Sequence, residues 1–253
     1  GLMRRPVIAA NWKMYKTAAE AGEFCRALLA QSLDDEADKV IFAPFTALST
    51  LQEKLKDSDI AIGAQNFYPK ADGAYTGEIS LGMLKEFDVK YVLIGHSERR
   101  EIFHETDELI AEKLKAALNE GFIPILCVGE SLVVREKGEA HAYCLRQIKE
   151  AVADIAPDDV AKIIIAYEPI WAIGSGKSAT AADAEEMLAA IRGYLRERYG
   201  SETVEKIRIL YGGSVKPENI AQFMNEEDID GALIGGASLK AESYGKMIRW
   251  RER

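Results

Sequence analysis

Cysteine and histidine are both scarce, with three of each in 253 residues. Cys25, Cys127 and Cys144 form no CxxC pair and leave an odd count. That excludes a disulfide framework and favours buried thiols in a reducing compartment, so a cytoplasmic location is expected. His96, His104 and His141 belong to no HExxH motif and no Cys/His cluster, so no metal site is expected. Long apolar runs are missing too: none approaches the ~20 residues that span a bilayer, and no membrane partner is expected. Positive charge is in deficit, 32 Lys plus Arg against 41 Asp plus Glu for a net charge of −9. This argues against general binding to nucleic acid or anionic membranes, and any anionic substrate must be attracted locally. No Ser/Pro-rich linker or low-complexity tract divides the chain, so residues 1–253 read as one domain. Gly1-Leu2 ahead of Met3 reads as a remnant of expression. The apolar stretch after Arg4-Arg5 is too short for a secretory core and reads as a first strand.

What is present centres on residues 166–178. The run 162–167 is rich in β-branched residues and apolar on both faces, the pattern of a strand buried in a parallel sheet. Glu168 ends it, and Pro169 biases Glu168 away from helical angles. Gly174 and Gly176 then permit loop geometries that residues with a Cβ resist. A proline at one end and glycines at the tip predict a hinged lid that expels water from around Glu168. Two plainer readings compete. A phosphate loop needs glycine five residues before the Gly176-Lys177 pair, where Trp171 stands, and Gly/Ser clusters commonly only connect elements.

Apolar runs predict eight strands, at 6–11, 39–43, 60–65, 90–95, 122–127, 162–167, 206–211 and 230–235. Amphipathic stretches lie between them, such as Ile110, Leu114, Ala117 and Leu118, or Ala184, Met187, Leu188, Ile191 and Leu195. Thr106 and Pro217-Glu218 are expected helix starts. Alternation of strand and helix implies a parallel sheet with right-handed crossovers, and eight units favour a closed (β/α)8 barrel over an open doubly wound sheet. In such a barrel the residues after each strand meet at one rim. Here they include Asn11 and Lys13, Gln65 and Asn66, His96 through Arg99, Glu168, Gly212-Gly213-Ser214 and Gly235-Gly236. Any one of them alone would be an ordinary surface charge or turn.

Gathered together, these residues have a definite chemistry. Backbone N–H groups near Ser214, Gly235 and Gly236, with Gly174 from the lid, can hold a phosphate without a metal. The rest of a small substrate then lies beside Glu168, Lys13 and His96. A carboxylate can take a proton from carbon only if the developing oxyanion is stabilised, and a neutral His donor plus Lys⁺ supply that. This is enolisation without a cofactor.

Seven blocks carry a further signal: Asn11-Trp12-Lys13-Met14, Gly73-Ala74-Tyr75-Thr76-Gly77-Glu78-Ile79, Gly95-His96-Ser97-Glu98-Arg99-Arg100, Cys127-Val128-Gly129-Glu130, Tyr167-Glu168-Pro169-Ile170-Trp171-Ala172-Ile173-Gly174, Tyr211-Gly212-Gly213-Ser214 and Gly235-Gly236-Ala237-Ser238-Leu239. In that order, from Arg5 to near the end, the chain resembles the triosephosphate isomerase family. The resemblance implies the barrel named after that family, with interconversion of D-glyceraldehyde 3-phosphate and dihydroxyacetone phosphate in glycolysis and gluconeogenesis. It implies Glu168 as base, His96 as electrophile, Lys13 as the cation near the substrate oxygens with Asn11 beside it, and Glu98 as support. Gly174, Ser214, Gly235 and Gly236 would bind phosphate. Residues 169–171 and 177–179 would be hinges, Tyr211 and Ser214 would hold the lid shut, and Glu130 would pair with the Trp171 indole when it is open. Ser178 stands where the family usually has Thr.

The stretch 66–79, from Asn66 to Ile79, exceeds the roughly 2 to 6 residues typical of a strand-to-helix loop. Its alternative reading is a mobile insertion. The resemblance implies instead that it enters a neighbouring subunit beside that subunit's Asn11 and Lys13, making a homodimer, with Phe67, Tyr68 and Tyr75 as its apolar and aromatic contacts. Two other functions fit the same residues: an isomerase of a different sugar phosphate, and a barrel retained only for binding. The second should have lost Lys13, His96 or Glu168, and all three are present.

Overall fold

The computed structural model describes residues 4–33, 36–173 and 178–252. Within them the eight apolar runs form eight strands: β1 Val7–Asn11, β2 Asp38–Ala43, β3 Ile60–Ala64, β4 Val89–Ile94, β5 Ile123–Val128, β6 Ile164–Tyr167, β7 Ile209–Tyr211 and β8 Gly231–Ile234. They pair in sequence order, all in parallel, and β1 also pairs with β8 through Val7 opposite Gly231, so the sheet is a closed barrel. The open doubly wound alternative is thereby ruled out.

Period-two side-chain alternation divides each strand between two cores. Val7, Ala9, Val40, Phe42, Leu93, Ile125, Ile164, Ala166, Leu210 and Leu233 form a cluster built from strands alone, which fills the barrel. Their neighbours Ile8, Ala10, Ile41, Val92, Leu126 and Ile165 pack outward with apolar helix residues such as Phe24, Leu51, Leu114 and Leu188. Both faces of the strands are therefore largely dry, which is why the sequence shows continuous apolar runs in place of alternation. The strands begin within one residue of the runs except β6 and β7, which begin two and three residues later. Ile163 and Ile207 donate their N–H groups to Val160 and Val204, closing the preceding helical turns before β6 and β7 start.

Helix starts follow local capping. Thr106 accepts from the N–H of Leu109 and opens Asp107–Asn119, as expected. Thr180 and Asp183 form a capping box at the start of Ala181–Tyr199, whose Ala184, Met187, Leu188, Ile191 and Leu195 are all buried. The expected start at Pro217-Glu218 is displaced. Asn219 takes the cap position and the helix runs Ile220–Met224, because the Asn219 side chain accepts from the N–H of Lys216 and holds 216–219 as a turn. Among the described residues no helix is long and apolar enough to cross a membrane.

At the N-terminal end of the barrel, buried ions fasten the two chain ends together. Asp230 accepts from Nε of Arg4 at 2.7 Å and from Nη2 of Arg192 at 2.5 Å, while Arg192 Nε reaches Asp228 at 2.8 Å. Removing one partner of such a pair typically costs about 3–5 kcal/mol, since it strands a buried charge.

Candidate active site

At the opposite end a cavity of about 770 Å³ opens among the C-terminal ends of the strands. Its wall contains Asn11, Lys13, His96, Glu168, Ser214, Gly235 and Gly236. The eighth residue expected there, Gly174, lies outside the described residues, as do Ser175, Gly176 and Lys177. A larger cleft of about 960 Å³ lies at the N-terminal end, around Arg4, Arg192, Asp228 and Asp230. Those groups are bonded to one another, so the chemistry belongs to the smaller cavity.

Lys13 follows β1 at φ 55, left-handed backbone that a residue with a Cβ adopts only when its surroundings impose it. The surroundings do so on both sides. The Asn11 side-chain oxygen accepts the Lys13 N–H at 3.0 Å, and Gln65 donates to the Lys13 carbonyl at 2.9 Å and to that same Asn11 oxygen at 3.3 Å. Turned in this way, Lys13 reaches the cavity with Nζ 3.2 Å from Glu98. Gly235 makes room for it: a Cβ there would sit 3.2 Å from Lys13 Cε.

His96 follows β4 and caps the short helix Ser97–Glu101, its Nδ1 accepting the N–H of Glu98 at 3.2 Å. A ring nitrogen that accepts carries no proton, so the imidazole is neutral with its proton on Nε2. Nε2 then lies 3.1 Å from Glu168 Oε2. Imidazole ¹⁵N spectra at neutral pH are therefore expected to show a bare Nδ1 and a protonated Nε2. A ring protonated on both nitrogens would contradict the accepting Nδ1.

Glu168 extends β6 by one residue, its N–H bonded to the Val128 carbonyl at 2.8 Å, while Gly212 N–H takes the Tyr167 carbonyl at 2.7 Å. Approach to the neighbouring loop is so close that a Cβ on Gly129 would fall 1.9 Å from the Glu168 carbonyl oxygen. Only glycine fits. The carboxylate, on a residue 4% exposed, accepts from Ser97 twice, the N–H to Oε1 at 3.0 Å and the hydroxyl to Oε2 at 2.9 Å. Beneath it, burial pushes the Cys127 thiol well up, with the Glu168 charge adding to the effect, so that this sulfur stays protonated and inert.

Pro169 leads into the 3-10 turn Ile170–Ala172, which buries Trp171. The indole lies 3.4 Å from the Tyr167 hydroxyl, which donates to Glu130 at 2.8 Å, and the Trp171 N–H bonds the Glu130 carbonyl at 3.2 Å. The Tyr167 hydroxyl thus stands between the indole and the Glu130 carboxylate. Across the cavity, a 3-10 turn Gly236–Leu239 follows β8 directly and Ser214 follows β7. The helix after β7 begins only at Ile220. The helix start expected at Pro217-Glu218 after β7 is therefore set back from the cavity.

Residues 6–251 match the family model described as triosephosphate isomerase. The chain belongs to the triosephosphate isomerase family. Relatives called triosephosphate isomerase include one from Caldanaerobacter subterraneus subsp. tengcongensis, 50% identical over 248 residues that cover 98% of this chain and all of the relative. Another from Chloroflexus aurantiacus is 51% identical over 251 residues with the same coverage. One from Dictyoglomus thermophilum is 49% identical over 248 residues. Two residues that structure the site of this triosephosphate isomerase family member were not singled out by role in the sequence. Nothing in the spacing of Ser97 says that both its N–H and its hydroxyl face Glu168. Gln65 is legible only as a rim residue, and its place beneath Asn11 and Lys13 depends on β3 neighbouring the strand next to β1.

Proposed function

We propose that this chain interconverts D-glyceraldehyde 3-phosphate and dihydroxyacetone phosphate by proton transfer through an enediolate, with Glu168 as base, neutral His96 as hydrogen-bond donor and Lys13 as cation. The observation that carries this reading is the convergence of these three side chains, from β6, β4 and β1, on one cavity. Two donors of Ser97 engage the Glu168 carboxylate, so proton abstraction requires it to turn from Ser97 toward the substrate. His96 Nε2–H then faces the substrate oxygen where charge develops, and Lys13 lines the same cavity. Asn11 supports Lys13 through the turn already described. Ser214, Gly235 and Gly236 are the groups we assign to phosphate, together with Gly174. No step needs a cofactor. A coupled assay in both directions tests the reading, and turnover of longer aldose phosphates in preference to trioses would replace it with the other sugar-phosphate isomerase.

We further read the described barrel as one domain of a cytoplasmic homodimer. Residues 70–78 are exposed throughout, and large apolar side chains stand out of the surface: Met14 at 94%, Ile102 at 62% and Phe103 at 60% exposure. Such apolar surface beside a site is what a partner would cover. Phe67, expected to be part of that contact, is instead fully buried, with Lys113 5.8 Å from its ring. Tyr68 and Tyr75 instead pack on one another at 4.5 Å between ring centroids. Deleting 70–78 is expected to give monomers with little activity. Sedimentation that still finds a dimer after the deletion would remove this loop from the interface.

A further inference from the structure

The short helix Leu132–Glu136 after β5 holds a side chain with no part in the proton transfer described above. The Arg135 guanidinium carbon lies 4.1 Å from the centroid of the Trp171 ring, stacked on the turn that follows Glu168. Its Nη1 is 3.5 Å from the carboxylate of Glu130 and its Nη2 3.8 Å from that of Asp183. Glu130 is wholly buried, and burial pushes its carboxyl up against the opposing pull of the Tyr167 hydroxyl and of Arg135. Asp183 accepts the Thr180 N–H at 3.0 Å in the capping box of Ala181–Tyr199.

One planar cation therefore touches the loop after β5, the turn after β6 and the first turn of the next helix. An isolated exposed ion pair contributes little. This group, 36% exposed, instead meets an aromatic face and two carboxylates at once, a geometry that suits a guanidinium and not an ammonium. The contacts lead to the reacting carboxylate from both sides. Trp171 reaches Tyr167, the residue before Glu168, through the indole and the Tyr167 hydroxyl, and Pro169, the residue after Glu168, opens the turn that Trp171 occupies.

We propose that Arg135 is a positioning residue for the isomerisation: by fixing Trp171 against Glu130 and Asp183 it sets the backbone on either side of Glu168 and hence where the base carboxylate stands. The proposal rests on the reading of Glu168 as base. It makes Arg135 matter to turnover and not to substrate binding, because Arg135 is not part of the cavity wall.

Arg135→Met keeps a side chain against the indole and removes the charge and the fork, while Arg135→Lys keeps the charge alone. With displacement of a reacting group by 1 Å costing about 10²-fold, Arg135→Met is expected to lower kcat about 10- to 100-fold, with KM changed less than about threefold. Arg135→Lys should fall between it and the parent. Chains labelled with 5-fluorotryptophan give a ¹⁹F signal for Trp171, assigned with Trp171→Phe, which should shift in both variants. In a Trp171→Leu background, Arg135→Met should have little further effect on kcat. Three results would overturn the proposal: kcat within twofold of the parent in Arg135→Met, an unmoved Trp171 signal, or kcat, KM and melting temperature falling together in both variants. Glu168→Gln, measured in parallel, separates the two readings. If it abolishes turnover while Arg135→Met keeps kcat within twofold of the parent, positioning by Arg135 alone is refuted, and if it retains turnover the base assignment fails whatever Arg135 does.

Discussion

Glu168→Asp is expected to lower kcat by about 10²-fold or more while leaving substrate affinity nearly unchanged. The two residues carry the same charge, so the field felt by a bound phosphate ester is the same. What changes is reach, because the carboxylate is withdrawn by one methylene from a backbone that cannot follow. The Glu168 N–H is held by Val128, the Tyr167 carbonyl by Gly212, and the Glu168 carbonyl presses against Gly129. Proton abstraction from carbon is steep in distance, so the shortfall appears in the chemical step. Steady-state kinetics in both directions, with binding of a non-reacting phosphate ester measured separately, test this. A variant that keeps kcat and loses affinity would show that Glu168 binds substrate and does not act on it.

Lys13→Met is the second large effect, and it should fall on binding and turnover alike. The chain carries a net charge of −9, which repels a phosphorylated substrate at long range. Lys13 is a cation held at the cavity by an imposed backbone turn, and its charge serves both the bound substrate and the developing oxyanion. Loss of a preorganised electrostatic contact of this kind costs about 10²- to 10³-fold in kcat, and the binding loss adds to it in kcat/KM. The charge-neutral Met is close in length and keeps the Cβ, and the turn at φ 55 is held through backbone bonds to Asn11 and Gln65, so stability should change little. A pairing of lowered activity with unchanged melting temperature is the expected signature. Near-parental kcat/KM in Lys13→Met would remove the cation from the mechanism.

Much of this was legible in the chain because the relevant physics is local. Eight runs apolar on both faces have no home except a parallel sheet covered by helices, and Thr106 capped its helix as its side chain requires. The start at Pro217 failed for an equally local reason, the competing bond from Asn219 to Lys216. Other features were not local. Phe67 reads as a surface aromatic in a long polar loop, yet it is core, because Lys113 and Asn66 are bonded beneath it at 2.7 Å. Ser97 and Arg135 act through residues 71 and 36 positions away, Glu168 and Trp171. No spacing rule encodes that contact. It exists only once β4, β5 and β6 lie side by side.

Ring closure has a consequence for how the molecule comes into being. The last seam, β1 against β8, joins segments at opposite ends of the chain, and the buried pair of Arg4 and Asp230 beside it spans 226 residues. During synthesis every other strand can find a neighbour made just before it, while β1 keeps one edge unpaired until β8 has emerged from the ribosome. That open edge is the longest-lived aggregation hazard of the nascent chain. Closure, with its high contact order, is then the slow step that completes the enzyme, because Lys13 and Gly235 stand on the two sides of that seam and meet only when it shuts.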